Sequence, residues 1–339
     1  MKPTDFAYYL TDFLSKYLPG TMGLSPNTIM SYRDAFSLLL EFCRGQEKKT
    51  AEKFTLADLN SALVGRYLDW IEKVRNCTTS TRNVRLSAIH AFCRYLQIEF
   101  PDYIYQSQQI LAIPVKKAKK TCIEYVSLDA MKFLLERPDR KTIEGRRDMV
   151  LLSLLYDSAA RVQELADLKV IDVRVIEPAT VKLTGKGRKS RIVPLMKPMA
   201  RLLEQYLEEN DFTEPYARDC PLFQNRSKGK LTREGIAYIV TKYAGEAINK
   251  APGLFPNKLS PHCFRHSKAV HLLQSGVNLI YIRDFLGHVD IQTTEIYARI
   301  DGEMKRKALE KSTSIAVPEK LPEWQKNSGL MSWLKKLGK

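Results

Sequence analysis

Residues 260–299 read SPHCFRHSKAVHLLQSGVNLIYIRDFLGHVDIQTTEIYAR, a stretch unlike the rest of the chain. Four of the five histidines fall inside it, at His262, His266, His271 and His288. Ser260-Pro261 reads as a helix start, with serine as N-cap and proline in the first helical position, where no N–H is needed. His262 and Arg265 then share a face near the helix end that favours anions. Leu286-Gly287-His288 makes a turn, and Tyr297 lies in a short helical segment after it. His262 and His266, at i and i+4 with Cys263 nearby, could instead chelate a metal. They have no acidic third ligand and no HExxH pattern, so no metal and no cofactor is expected. His271, deeper in the helix, reads as a packing or surface residue.

A chain of 339 residues is comfortable for two domains, each with its own core. Its formal net charge of +16 favours a polyanionic partner, most simply nucleic acid, although a basic protein of unrelated role would share it. The six cysteines (43, 77, 93, 122, 220 and 263) form no CxxC pair, which argues against a zinc ribbon or disulfide scaffold and for reduced thiols. Asp5 and Asp12 interrupt the apolar pattern of the N-terminus, which makes it an amphipathic helix rather than a signal peptide. No run approaches a membrane span, and a cytoplasmic protein without a membrane partner is expected.

Upstream, four amphipathic helices are expected. Phe6, Leu10, Phe13, Leu14 and Tyr17 recur at helical spacing until Pro19-Gly20 ends the run. Ser25-Pro26 starts a second helix through Ile29, Tyr32, Phe36, Leu39 and Leu40. Thr55 and Asp58 resemble a capping box before Leu59, Leu63, Tyr67 and Ile71. A fourth helix begins at 78–81 and runs through Val84, Ile89, Phe92 and Leu96. Together these make a small all-α domain over residues 1–113. Thr81, Arg82, Asn83 and Arg85, near the start of the fourth helix, suit phosphate and base-edge contacts, and equally suit a solvated helix face. Residues 114–121 carry Lys116, Lys117, Lys119 and Lys120 without hydrophobic periodicity, as a basic linker lying against a phosphate backbone would.

The second block spans 122–311. Helices are expected over 127–136 and 144–157, the latter buried through its MVLLSLLY run, which leads to Arg161 in a small-residue turn. Arg161 is thus positioned by core packing, unless it is a surface arginine paired with Glu164. Residues 180–195 alternate as a β-hairpin whose GKGRK tip sets Lys186 between two glycines and carries Arg188. The tip opens no helix and is not a Walker loop. Helices over 197–209 and 232–249 follow. Beyond Tyr297 a charged helix runs to Lys311, and a tail over 312–339 ends in SGLMSWLKKLGK, an amphipathic segment or a frayed end.

Taken in order, Arg161, Lys186, His262, Arg265, His288 and Tyr297 resemble the active-site set of the tyrosine recombinase (phage integrase, Xer-like) family. They stand in AARVQEL, TGKGRKSRIVPL, SPHCFRHS and LGHVDIQTTEIYA. Ala160 departs from the glycine that the family most often places before its first arginine. The resemblance implies a mainly α fold with a small β-sheet. It also implies a two-domain, C-shaped DNA clamp: a SAM-like core-binding domain and a mixed α+β catalytic domain. A covalent 3′-phosphotyrosine link from Tyr297 is implied, with Glu164 supporting Arg161 and the tail passing to a neighbouring protomer. The implied partners are double-stranded DNA and a homo- or hetero-tetramer on paired sites. The residue types suit this chemistry: two arginines clamp nonbridging oxygens, histidines hydrogen-bond or move a proton, and a lysine protonates the leaving oxygen. Relaxation of DNA by a type IB topoisomerase-like enzyme, or DNA binding without catalysis, are the competing readings.

Overall fold

The computed structural model describes residues 3–118, 123–185, 187, 189–256, 259–300, 329 and 333–337. The chain divides into two compact units, Met1–Thr121 and Cys122–Lys339. Among the described residues no helix is long and apolar enough to cross a membrane.

The first unit is helical: α1 (Asp5–Asp12), α2 (Pro26–Gln46), α3 (Ser61–Lys73), α4 (Thr79–Glu99) and α5 (Ile104–Leu111). Its core is the aromatic set legible in the helical spacing. Phe6, Phe13, Phe36 and Phe92 are fully buried, and Phe6 and Phe13 each meet Phe92 edge-on at 5.8 and 5.3 Å. Such edge-to-face contacts add to the area term that drives burial.

Two local readings need correction. Pro19 does not end the first helix, because Phe13–Thr21 continues as a π-helix in which Met22 N–H reaches the Tyr17 carbonyl. The wider turn accommodates a residue that has no N–H to give. The Thr55–Asp58 pair does form, with Asp58 accepting from Thr55 N–H and hydroxyl at 2.8 and 2.7 Å. It closes only a single 3₁₀ turn, Leu56–Asp58, and α3 is capped by Asn60, whose side chain accepts from Leu63 N–H at 2.9 Å. Helix α5 was not anticipated from the sequence.

The second unit holds α6 (Leu128–Leu135), α7 (Ile143–Asp157), α8 (Val162–Ala166), α9 (Lys197–Glu209), α10 (Arg233–Lys250), α11 (Pro261–Gln274), α12 (Leu279–Leu286) and α13 (Gln292–Ile300). The apolar run in α7 is buried through Leu151, Leu152, Leu154 and Leu155, as its length and composition predict. The expected hairpin is β2 (Thr180–Thr184) and β3 (Ser190–Pro194), paired antiparallel with Val181 opposite Val193 and Leu183 opposite Arg191. A two-residue strand, β1 (Val173–Arg174), adds to the β2 edge and completes a three-stranded sheet. The main core of the unit joins α6–α10 to this sheet, while a smaller cluster of Ala159, Ala269, Val270, Leu273, Ile282, Leu286 and Tyr297 holds α11, α12 and α13 together. The charged helix read beyond Tyr297 and most of the 312–339 tail lie outside the described residues; Trp333, Leu334 and Leu337 are exposed.

Candidate active site

Helix α7 ends in a turn that aims the first arginine. Ala159 is buried and left-handed, with φ of 47°, a conformation that disfavours any residue with a Cβ. The backbone demand therefore falls on Ala159, not on Ala160. Arg161 next occupies the N-cap of α8, where Glu164 accepts its N–H at 2.9 Å and its Nη1 at 2.6 Å. Glu164 is 3% exposed, and Arg191 on β3 grips the same carboxylate from the other side, Nη1 to Oε1 at 3.1 Å and Nη2 to Oε2 at 2.9 Å. Burial alone would raise the Glu164 pKa; the hydrogen bonds from Arg191 and Arg161 outweigh it and hold the carboxyl below its ordinary range.

The second arginine is buried. Arg265, on the second turn of α11, is 4% exposed and donates Nη1 to the Ala159 carbonyl at 2.7 Å and Nη2 to the Leu286 carbonyl at 2.6 Å. One guanidinium thus ties the turn before Arg161 to the last turn of α12. Burial, with Arg161 and Arg191 nearby, lowers its pKa to about 10, which leaves it protonated at neutral pH. The C-terminal carbonyls of α12 lack intrahelical partners, and two cations take them: Arg265 at Leu286 and Arg191, through Nε at 2.9 Å, at Phe285. Gly287 follows in the left-handed conformation that ends the helix. A Cβ there would come within 3.0 Å of the Arg191 side chain, so glycine meets both demands.

His288 comes directly after this turn. Its Nδ1 lies 2.9 Å from the buried Thr294 hydroxyl on α13. Three residues on, at a spacing that shares a helix face, Tyr297 is 1% exposed, with its hydroxyl 2.8 Å from Nδ1 of His266. Burial lowers the pKa of both histidines to about 4, His288 further through Arg265, Arg161 and Arg191, and His266 through His262 and Arg265. Burial raises the Tyr297 pKa, against the pull of Arg265 and Arg161. His262 is exposed, its ring 6.3 Å from that of His266, so the three-residue spacing does not give it the surroundings of Arg265.

A cavity of about 600 Å³ opens onto this network, lined by Arg161, Gly185, Lys189, Arg191, Gly287 and His288. Gly185 packs against the ion pair, since a Cβ there would lie 2.7 Å from Glu164 Oε1. Lys186 and Arg188, at the hairpin tip, are outside the described residues, as are Lys119 and Lys120. Sequence reasoning set His266 beside His262 only as an alternative chelating pair and did not single out Arg191 or Thr294. The three-residue step from Thr294 to Tyr297 was the one available signal.

The residues read as DNA contacts on α4 have other partners. Arg82 is 5% exposed and donates to the Pro114 carbonyl at 3.1 Å, and its Nε has no hydrogen-bond partner among the described residues. Asn83 holds Lys116 through both backbone groups, at 2.7 and 3.2 Å. Arg85 donates to the Ser31 carbonyl, the Thr81 hydroxyl meets that of Thr78, and Lys116 Nζ pairs with Glu72. Lys117 is exposed. Much of this set therefore fixes the start of the basic segment onto α4.

Comparison with known proteins identifies the family and the fold. Residues 124–304 match the phage integrase family, and residues 10–99 match the phage integrase N-terminal SAM-like domain. The chain is 33% identical over 313 residues to a putative integrase/recombinase, y4rC, of Sinorhizobium fredii, across 92% of this chain and 93% of that protein. It is 31% identical over 295 residues to the tyrosine recombinase XerD of Listeria innocua, across 86% and 93%. In fold it is similar to the XerH site-specific recombinase bound to palindromic difH substrate, with a TM-score of 0.62 at 22% identity over 85% of this chain and 79% of that one. The Tn1549 transposon integrase in complex with transposon right end DNA gives a TM-score of 0.65 at 13% identity over 90% and 99%. With its catalytic and SAM-like segments both matched, the chain belongs to the phage integrase family of tyrosine recombinases.

Proposed function

We propose that this site-specific recombinase cuts and rejoins DNA with Tyr297 as nucleophile. The observation that carries the reading is the convergence, through Arg265, of the turn holding Arg161, the turn holding His288 and the helices α11 and α13 that bring Tyr297 to His266. The Tyr297 oxygen attacks the scissile phosphorus, a phosphotyrosine bond forms, and the bond from phosphorus to the 5′ oxygen breaks. Neutral His266 accepts the phenol hydrogen through Nδ1. Lys186 protonates the leaving 5′ oxygen. Arg161 and Arg265 balance the charge gathering on the nonbridging oxygens, with His262 and His288 as further hydrogen-bonding groups. A second 5′ hydroxyl then reverses the step and reseals the strand.

Residues 1–113 serve in this reading as the core-binding domain, 114–121 as a linker along the backbone, and 122–311 as the catalytic domain. Thr81, Arg85, Lys116, Lys117, Lys119, Lys120 and Arg188 are the candidate phosphate contacts. The protein acts in the cytoplasm as a tetramer on two sites, for a mobile element or a chromosome. The test is a nicked duplex carrying a site selected from random DNA by the wild-type chain. A covalent adduct should form, persist in EDTA and vanish in Tyr297→Phe; its absence from the wild-type reaction sinks the assignment.

A further inference from the structure

We propose that Arg191 is a positioning residue for Arg161: it holds the far side of the Glu164 carboxylate and the end of α12, so that Arg161 faces the cavity with its charge available. This rests on the phosphotyrosine reading above.

Glu164 is a buried carboxylate with its side chain 2% exposed. It takes Arg161 on one side and Arg191 on the other. The two guanidiniums differ in exposure: the Arg161 side chain is 37% exposed at the cavity, and that of Arg191 is 12% exposed. Nε and both terminal nitrogens of Arg191 are engaged, two on Glu164 and one on the Phe285 carbonyl. Arg191 also lines the cavity, but its donors are spent on protein acceptors, and Arg161 is the more exposed guanidinium there.

The charge count gives this arrangement its consequence. One carboxylate against Arg161 alone would leave a neutral pair facing an incoming phosphate. Adding Arg191 leaves a surplus positive charge, and the exposed partner carries it to the cavity. Removing Arg191 would also leave a buried carboxylate with a single counterion, which would draw Arg161 further onto Glu164. The surroundings are fitted to the second arginine: glycine at 287 makes room for its stem, and glycine at 185 makes room for the carboxylate it grips. A lysine could not reproduce the two-pronged grip together with the Phe285 contact.

The experiment is a double-mutant cycle between Arg191 and Arg161, read as covalent adduct on the nicked duplex. The nick lets adduct accumulate irreversibly, so slow variants remain measurable. Arg191→Gln should slow adduct formation by about tenfold or more in the wild-type background, the size expected for a two-pronged charged contact. In the Arg161→Ala background the same substitution should cost less than about twofold, because the residue it acts through is gone. Arg191→Lys should recover part of the rate; it also decides the question through the same cycle if Arg191→Gln does not fold. An equal loss in both backgrounds would mean a direct phosphate contact or a general structural role, and would overturn the proposal, as would a wild-type rate in Arg191→Lys and Arg191→Gln alike. If the wild-type chain forms no adduct, the phosphotyrosine reading itself fails.

Discussion

The hydroxyl of Tyr297 lies 2.8 Å from Nδ1 of His266, the residue after the buried Arg265. A single helix, α11, thus carries both the buried arginine that joins two turns of the site and the group that meets the phenol. Replacing His266 by leucine should slow adduct formation by about 100-fold or more, within the range for loss of a proton-handling group. His266→Asn keeps a polar atom near the Nδ1 position and should recover part of that loss. Single-turnover adduct rates on the nicked duplex check this, and equal rates for His266→Leu and wild type would remove His266 from the reaction.

The same burial sets a pH dependence. His266 and His288 both titrate at about 4, well below free histidine. Both rings are neutral above that value and become cations below it. In a His262→Gln background, which leaves only the buried pair to be read, the second-order rate constant for adduct formation, which reports the free enzyme, should show no histidine limb between about pH 5 and 7 and should fall as pH drops toward 4. A limb centred near 6.5 in that constant would contradict the neutral pair.

Glu164 couples charge to stability. Its carboxyl is held below its ordinary pKa, so the stabilisation is fully present above about pH 4.3 and is lost as pH falls through the lower folded-state value. Glu164→Gln leaves Arg161 and Arg191 facing each other without a counterion and should cost about 3–5 kcal/mol at neutral pH. Urea unfolding of the full chain at neutral pH and in acid should show the gap between variant and wild type shrinking in acid. A gap independent of pH would mean that the carboxylate charge is not the stabilising element.

Arg82 and Lys117 should behave differently although both were read as DNA contacts. Arg82 is buried on the Pro114 carbonyl, and Arg82→Ala should destabilise the protein by about 1–3 kcal/mol by leaving that acceptor unpaired. Lys117 is exposed, and Lys117→Ala should leave stability unchanged while lowering the slope of log Kobs against log salt by about 1. Filter binding across a salt series, alongside thermal melts, separates the two outcomes.

The sequence by itself determined the type of protein and most of its elements. Helical spacing marked the aromatic core of the first unit, period two marked the hairpin, and four ordered motifs identified the family. These are local signals, carried by residues a few positions apart. It could not show that Thr55 and Asp58 close only one turn, because an identical pair can cap a 3₁₀ turn or an α-helix. Nor could it show that Ala159 is the residue in the left-handed conformation, or that Arg82 turns inward. Only the tertiary structure decided how the site is joined. Arg265 meets carbonyls 106 residues before it and 21 after it, and Arg191 reaches the end of a helix 94 residues away. Those contacts exist because a buried guanidinium must place its donors on whatever acceptors the fold brings near. The acceptors are backbone carbonyls, which every residue carries, so no side-chain pattern in the sequence could announce them.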